Sequence, residues 1–138
     1  MTDAPEPTYL ELTEDDRALI SAAVETLRRT YTPSKHSVAA AVRCAGGDVY
    51  TGINLNGTAF GPCAEPVAIG AALTAGQADI AAIVAVCKRE EEYQVLSPCG
   101  NCRQLMLDYA PDAMVILAVG GRPVKARARE LLPGPYTG

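Results

Sequence analysis

The sequence predicts an α/β protein with three layers, an α/β/α sandwich around a mixed five-stranded sheet whose central strands are parallel. Three observations lead to this prediction: an amphipathic helix pattern near the start, a strand-hairpin pattern after it, and a later alternation of helices with apolar strands. At 138 residues the chain is expected to form one domain, residues 1–138, of which residues 1–12 form a loose tail.

The first helix is predicted to begin at Thr13, a residue type that suits an N-cap. Acidic residues fill positions 14–16, where negative charge is favourable to the helix dipole. Apolar side chains at helical spacing then predict one buried face: Leu19, Ile20, Ala23, Val24 and Leu27. Pro33 cannot continue the hydrogen-bond ladder, so we expect the helix to end within residues 31–35.

A hairpin and a helix are predicted for the middle of the chain. Residues 37–55 have the pattern of two strands joined by a turn at residues 45–48. Residues 63–76 are rich in alanine and end at a glycine, which favours a helix. Pro66 would lie in the first turn of this helix, where the missing N–H does no harm.

The last part of the chain continues the alternation. Residues 79–88 and 113–119 are continuous apolar runs, as expected for strands buried on both faces. Between them we predict a loop at residues 89–98 and a helix at residues 99–109. Residues 124–132 form either a short strand or a short helix.

Composition favours a small-molecule partner. Twelve basic and sixteen acidic residues give a net charge of −4, and there is no basic stripe of the kind that nucleic-acid-binding proteins carry. Apolar runs stay well below the roughly 20 residues that span a bilayer, and the start lacks a signal-peptide pattern. We therefore expect a cytoplasmic protein that binds neither a membrane nor a nucleic acid polymer. In a reducing cytoplasm, clustered cysteines more often bind metal than form disulfides.

Three of the five cysteines stand at predicted helix starts. Cys63 begins one helix, whereas Cys99 and Cys102 begin another. Helix N-termini on neighbouring strands of a parallel sheet emerge at the same edge, so the three thiols are expected to converge. Three thiolates leave one position of a tetrahedral zinc ion open, as in catalytic sites. The alternatives are a redox pair at Cys99 and Cys102, which would not need Cys63, and a closed structural zinc site, which would need a fourth ligand.

Glu65 favours the catalytic alternative. It lies two residues after Cys63, in the first turn of the helix, where its carboxylate can face the open position of the metal. A carboxylate there can take a proton from zinc-bound water and pass it to a leaving group. A ligand-x-Glu motif followed by Pro-Cys-x-x-Cys is the signature of zinc deaminases, and here it reads CAE and PCGNC.

With these motifs the sequence resembles the cytidine deaminase superfamily from about Ser37 to Tyr136. The matching stretches are GIN (52–54), GPCAE (61–65), LSPCGNCRQ (96–104) and ARELLPGPY (128–136). The last two are most similar to the small tetrameric branch, and especially to blasticidin-S deaminase. The resemblance implies a cytidine deaminase-like fold, one Zn²⁺ per subunit, a homotetramer, and attack of zinc hydroxide on the amidine carbon of an aminopyrimidine with release of ammonia.

The resemblance also assigns residues to the substrate and to the zinc. Six positions match substrate contacts of the family: Ser37, Asn54, Asn56, Ala64, Ser97 and Tyr136. Asn56 stands where nucleoside deaminases of this branch carry a Glu that binds ribose, and Pro66 stands where they carry an Arg near the thiolates. Zinc with three thiolates has a charge of −1, so we expect Arg103 and the helix dipoles to offset the negative charge.

The sequence thus predicts a zinc-dependent hydrolase for a free cytosine-like ring. The substrate classes left open are cytidine or deoxycytidine, an antibiotic of the blasticidin-S type, and a free or modified nucleobase. A polynucleotide-editing deaminase is less favoured because the chain is acidic. A non-catalytic zinc-stabilised domain is less favoured because the chain retains Glu65. The motifs leave the roles of His36, Tyr93, Cys44 and Cys87 undefined.

Overall fold

A computed structural model describes residues 6–138 of the chain; the part of the predicted tail at residues 1–5 lies outside the described residues. The elements follow in the order α1 (Glu14–Thr30), β1 (Val38–Cys44), β2 (Val49–Ile53), α2 (Ala64–Thr74), β3 (Ile80–Arg89), β4 (Glu92–Leu96), α3 (Gly100–Tyr109), β5 (Met114–Val119) and β6 (Arg122–Arg127). A 3₁₀ turn at Ala128–Glu130 follows β6. The residues predicted as either a short strand or a helix are therefore split between the end of β6 and this turn.

The strands form one mixed sheet in the order β2-β1-β3-β5-β6, and β4 also pairs with β3. Only the β3–β5 pair is parallel among the described pairs. The predicted α/β class and mixed sheet are confirmed, but the sheet has six strands instead of five. The additional strand, β4, lies in the segment predicted as a loop and pairs antiparallel with the second half of β3. Glu90, with φ of 57°, makes the tight turn that allows this pairing.

Helices cover both faces of the sheet, as the three-layer prediction requires. On one face α1 packs its predicted apolar stripe, including Leu19, Ala23 and Leu27, against β1 and β3. On the other face α2 and α3 bury Ile69 and Met106 against the sheet. Because aromatic residues are scarce, alanine and β-branched residues fill most of both cores, and the helices can approach the sheet closely.

The start of α1 is held by a capping box and a buried ion pair. Thr13 and Asp16 satisfy each other's backbone N–H groups, as the predicted N-cap implies. Asp16 is fully buried and accepts a hydrogen bond from Lys125 Nζ at 2.7 Å. Leu10 exchanges two backbone hydrogen bonds with Lys125, so this residue of the predicted loose tail is paired with β6. Together these contacts connect α1 to the last strand.

Replacing Asp16 by Asn is expected to destabilise the fold by about 3 kcal/mol, because it leaves Lys125 without its buried partner. Although burial acts to raise the pKa of Asp16, hydrogen bonds from Lys125 and Thr13 hold this pKa below its usual value. The ionised form therefore stabilises the folded state above the unfolded pKa near 3.8 and loses this effect as the pH falls through the lower folded pKa. Urea unfolding at pH 7 and pH 3 measures this: the cost of Asp16→Asn should shrink at pH 3, and an equal cost at both pH values would contradict it.

Among the described residues no helix combines the length and apolar character needed to cross a membrane.

Candidate active site

Two helix starts meet at one edge of the sheet. Ile53 ends β2 at the level of Val86, because both residues pair with Ala39. Leu96 ends β4 at the level of the adjacent residue, Ala85. The helices that follow, α2 and α3, therefore begin side by side. This convergence was predicted from parallel strands, but α3 follows a strand that runs antiparallel to β3; the geometry arises because β4 stops halfway along β3.

The three predicted metal ligands lie together at this edge. Cys63 and Cys99 are the N-caps of α2 and α3, and neither thiol caps its own helix, so both side chains are free to turn toward each other. The Sγ atom of Cys99 lies 3.8 Å from that of Cys63 and 3.5 Å from that of Cys102. All three Sγ atoms lie within 4.8 Å of one another.

This arrangement fits a tetrahedral zinc ion. With Zn–S distances near 2.3 Å, the sulfur atoms of such a site lie about 3.8 Å apart, close to the separations found here. Among residues 6–138, the three thiols form the one group of potential ligands whose donor atoms lie close enough to one another to hold a metal ion. A set of three thiolates supplies three of four positions, which is typical of catalytic zinc sites. The prediction that zinc would be the cofactor is consistent with this donor set.

The thiols also crowd one another electrostatically. Burial raises the pKa of Cys63 and of Cys102, and for Cys102 the nearby Glu65 carboxylate adds to the increase. Burial also acts to raise the pKa of Cys99, but backbone N–H groups at the start of α3 bring it below its usual value. Thiols whose ionisation is opposed by burial and, for Cys102, by a nearby carboxylate form a site that a divalent cation would stabilise.

Glu65 lies in the first turn of α2 and is only 4% exposed. Burial raises its pKa above the usual value for a glutamate. The carboxylate lines the same cavity as Cys63 and Cys99. A buried carboxylate beside a metal-binding group of thiols can exchange protons with a molecule bound in that cavity.

The cavity has a volume of about 260 Å³ and its walls are mainly apolar. Val38, Ala64 and Leu96 form these walls, and Asn54 and Ser97 add polar groups. Neither Val38 nor Leu96 is among the site residues predicted from the sequence. Both stand at strand ends beside predicted site residues, and Leu96 also begins the matching stretch at residues 96–104; these are the signals in the sequence that could have identified them.

Asn54 lines the cavity but is largely engaged by its own chain. Its Oδ1 accepts hydrogen bonds from the backbone N–H groups of Ser37 and Val38 at 2.9 and 3.0 Å, and its Nδ2 donates to Lys35 O at 3.2 Å. The side chain therefore fixes the start of β1 and has one N–H left for a ligand. His36 contributes to the same junction, since its Nδ1 lies 2.9 Å from Asn54 O.

Ser97 also uses its hydroxyl within the fold. Its Oγ donates to the carbonyl of Ala118 at 3.0 Å and accepts from the N–H of Ala118 at 3.2 Å. These two bonds tie the residue two positions before Cys99 to the end region of β5. The hydroxyl thus holds the metal-binding turn in place, although Ser97 also borders the cavity.

The other predicted site residues lie outside the cavity wall. Asn56 is exposed and donates from Nδ2 to Ser34 O at 2.7 Å. Ser37 is exposed, and the Tyr136 side chain is 78% exposed. Arg103 donates to Pro98 O at 2.8 Å and to Leu131 O at 3.1 Å, so its guanidinium contacts backbone carbonyls. Cys44 is buried at the end of β1 that pairs with Ile80, at the opposite end of the sheet from the thiol group, whereas Cys87 is buried in β3 and pairs with Val38 of the cavity wall.

Gly52 sets how closely α2 approaches the sheet, and replacing it is expected to disturb the site. A Cβ at Gly52 would lie 2.5 Å from Ala68 N. Gly52→Ala should therefore destabilise the fold by about 2 kcal/mol and lower activity, because α2 carries Cys63 and Glu65. Gly46→Ala is the matched control, since nothing lies within 4 Å of its new Cβ. Equal melting temperatures for the two variants would contradict this prediction.

Comparisons with known proteins agree with the site. Residues 13–118 match the family described as cytidine and deoxycytidylate deaminase zinc-binding region. Blasticidin-S deaminase from Bacillus cereus is 36% identical over 133 residues, covering 91% of this chain and 95% of that protein. Cytidine deaminase from Halalkalibacterium halodurans is 34% identical over 128 residues, covering 89% of this chain and 95% of that protein. The crystal structure of cytidine deaminase from Burkholderia pseudomallei superposes with a TM-score of 0.74 at 32% identity, covering 91% of this chain and 100% of that chain.

Proposed function

The chain belongs to the cytidine and deoxycytidylate deaminase family, and on this basis we propose that it deaminates a cytosine-like ring in a free small molecule. As a member of this family it is a hydrolytic deaminase with zinc as its cofactor. The proposed substrate is a nucleoside, cytidine or deoxycytidine, or an antibiotic of the blasticidin-S type. Relatives named for both substrate classes support this choice.

The observation that carries the proposal is the position of Glu65. Its carboxylate is buried and borders the same cavity of about 260 Å³ as Cys63 and Cys99. A structural zinc site does not require a carboxylate beside its ligands, and burying an ionisable group in the interior is destabilising. Retaining one at this position favours a catalytic role over a structural one.

Four residues of the chain have distinct roles in the proposed hydrolysis: three bind the metal and one transfers protons. Cys63, Cys99 and Cys102 would hold Zn²⁺, which supplies a Lewis acid that lowers the pKa of a bound water. Glu65 accepts a proton from the attacking water and donates it to the ring amino group, which leaves as ammonia. One water is consumed and the amino group is replaced by an oxo group, so no further reactant is needed.

The cavity itself orients the ring. Its apolar walls, Val38 and Leu96, exclude solvent from the reacting atoms and accept a flat heterocycle. The remaining N–H of Asn54 and the backbone at Ala64 are the polar groups that we assign to substrate recognition. Asn56, Ser37 and Tyr136 do not line the cavity of the single chain. We assign the substrate contacts proposed for them to the assembled oligomer.

We therefore include a homotetramer in the proposal. Along α2 the only charged residue is Glu65, and it is buried, so the outward face of this helix is apolar. An apolar helix face beside an active site is suited to contact with a second copy of the chain. Sedimentation equilibrium tests the assembly: a mass of four chains would support it, whereas a monomer at micromolar concentration would contradict it.

Ammonia release from a substrate panel tests the function. Zinc-loaded protein is supplied in turn with cytidine, deoxycytidine, cytosine and blasticidin S. Turnover of the two nucleosides or of the antibiotic would support the proposal and select between its two substrate classes. Turnover of cytosine alone would favour the nucleobase alternative. No turnover of any member would contradict a deaminase of free aminopyrimidines.

A further inference from the structure

The two residues that follow the last thiol ligand contact the C-terminal segment of the chain, residues 131–138. Arg103 Nη1 donates to Leu131 O at 3.1 Å. Gln104 makes two bonds with one residue: its Nε2 donates to Tyr136 O at 3.0 Å, and its Oε1 accepts from Tyr136 N at 3.0 Å. The segment is thus attached to α3 at both ends, immediately beside Cys102.

The orientation of the Gln104 amide is fixed by a third contact. Its Nε2 also donates to Asp108 Oδ1 at 3.1 Å, one helical turn further along α3. A carboxylate can only accept, so this bond requires the NH₂ end of the amide to face Asp108. The same orientation presents one donor and one acceptor to the backbone of Tyr136. Both amide hydrogens are therefore used, and the amide binds Tyr136 as a neighbouring β-strand would.

Between the two anchors the chain has little conformational freedom. Pro133 and Pro135 each fix φ near −65°. Gly134 lies between them with φ of 59°, a left-handed conformation that glycine adopts without strain. A segment so restricted loses little entropy when it is bound, so a few hydrogen bonds are sufficient to define its path.

Although its backbone is fixed, the Tyr136 side chain is 78% exposed. An aromatic side chain whose backbone is held but whose ring is left in solvent is available for contact with a molecule outside its own fold. We propose that Gln104 is a positioning residue for deamination, which acts by holding Tyr136 where its ring can contact the substrate. This inference rests on the proposed function, which assigns a substrate contact to Tyr136.

A fluorescence experiment tests the attachment independently of activity. The chain contains no tryptophan, so Tyr136→Trp introduces a single reporter whose backbone can still bond to Gln104. In this background we expect Gln104→Ala to add a fast component to the decay of fluorescence anisotropy. Gln94→Ala, an exposed glutamine on β4, is the control and should leave the decay unchanged. An identical decay with and without Gln104 would overturn the proposal.

A double-mutant cycle tests the link to substrate. Gln104→Ala alone should raise KM about fivefold, the effect expected from losing hydrogen bonds of ordinary strength, with kcat and zinc content unchanged. In a Tyr136→Ala background the same substitution should change KM by less than about twofold, because Gln104 acts through Tyr136. Equal effects of Gln104→Ala in both backgrounds, or a loss of zinc, would overturn the positioning role. If the intact protein deaminates no substrate, the proposed function fails. The anisotropy experiment still tests the attachment in that case: a faster decay in Gln104→Ala would show that Gln104 holds the segment, and an unchanged decay would show that it does not.

Discussion

Glu65→Gln is expected to lower kcat by about two to four orders of magnitude, the usual contribution of general acid–base catalysis. The substitution keeps the size and shape of the side chain but removes the group that accepts and returns a proton. Because the three thiols are untouched, the zinc content should remain at one ion per chain. Ammonia release with the best substrate of the panel, together with metal analysis, measures both quantities.

A second glutamate provides the control for this experiment. Glu14 also lies in the first turn of a helix, α1, but it is exposed and belongs to the other face of the sheet. Glu14→Gln removes the same charge from the first turn of a helix and should leave kcat within about twofold, as expected for a surface substitution. If Glu65→Gln retained full activity, or lost activity only because zinc was lost, its role in proton transfer would be refuted.

The elements that the sequence predicted well have local causes. The start of α1 follows from Thr13 and Asp16, three residues apart, which form a capping box within the first turn of the helix. Each of the thiol ligands stands at the start of a helix, so the local pattern was sufficient to locate Cys63 and the Cys99–Cys102 pair. Helix starts of this kind can be predicted from sequence because the residues that determine them are neighbours in the chain.

β4 was missed because its determinants are not local. Three consecutive glutamates occupy positions 90–92, up to and including the first residue of β4, a composition typical of a solvated loop. The strand forms because Glu90 adopts a left-handed turn and because Tyr93 and Val95 then pack against the α1 face of the sheet. This pairing with β3 also places α3, so the convergence of the thiols depends on a strand that the pattern did not reveal.

The polar substrate contacts were the least predictable part of the site. Asn54 bonds to residues 16 to 19 positions earlier, and Ser97 bonds to Ala118, 21 positions later. A sequence pattern shows that such residues are polar and near the site, but it does not show which hydrogen-bonding groups the fold has already used. Motif resemblance therefore assigned the whole Asn54 side chain to the substrate. In the structure, only one N–H of this side chain is free to bond with a molecule in the cavity.

Cys99→Ala is expected to remove zinc from the protein, since two remaining thiols are a poor site for a metal that prefers four ligands. Because zinc is lost, the deaminase activity of this variant should fall below detection. Metal binding is also linked to folding: at a free zinc concentration about 1,000 times its Kd, the ion stabilises the folded state by about 4 kcal/mol. For a domain of this size, that loss should lower Tm by roughly 10–20 °C.

A chelator separates the effect of zinc from that of the side chain. Treatment with EDTA should lower the Tm of the unsubstituted protein to about that of Cys99→Ala, whereas the Tm of the variant should not respond. Cys44→Ala is the matched control, because Cys44 is buried at the opposite end of the sheet from the site, paired with Ile80, and its loss should leave zinc bound. A chelator-sensitive Tm in Cys99→Ala would mean that the metal is held elsewhere. The assignment of Cys63, Cys99 and Cys102 as its ligands would then be wrong.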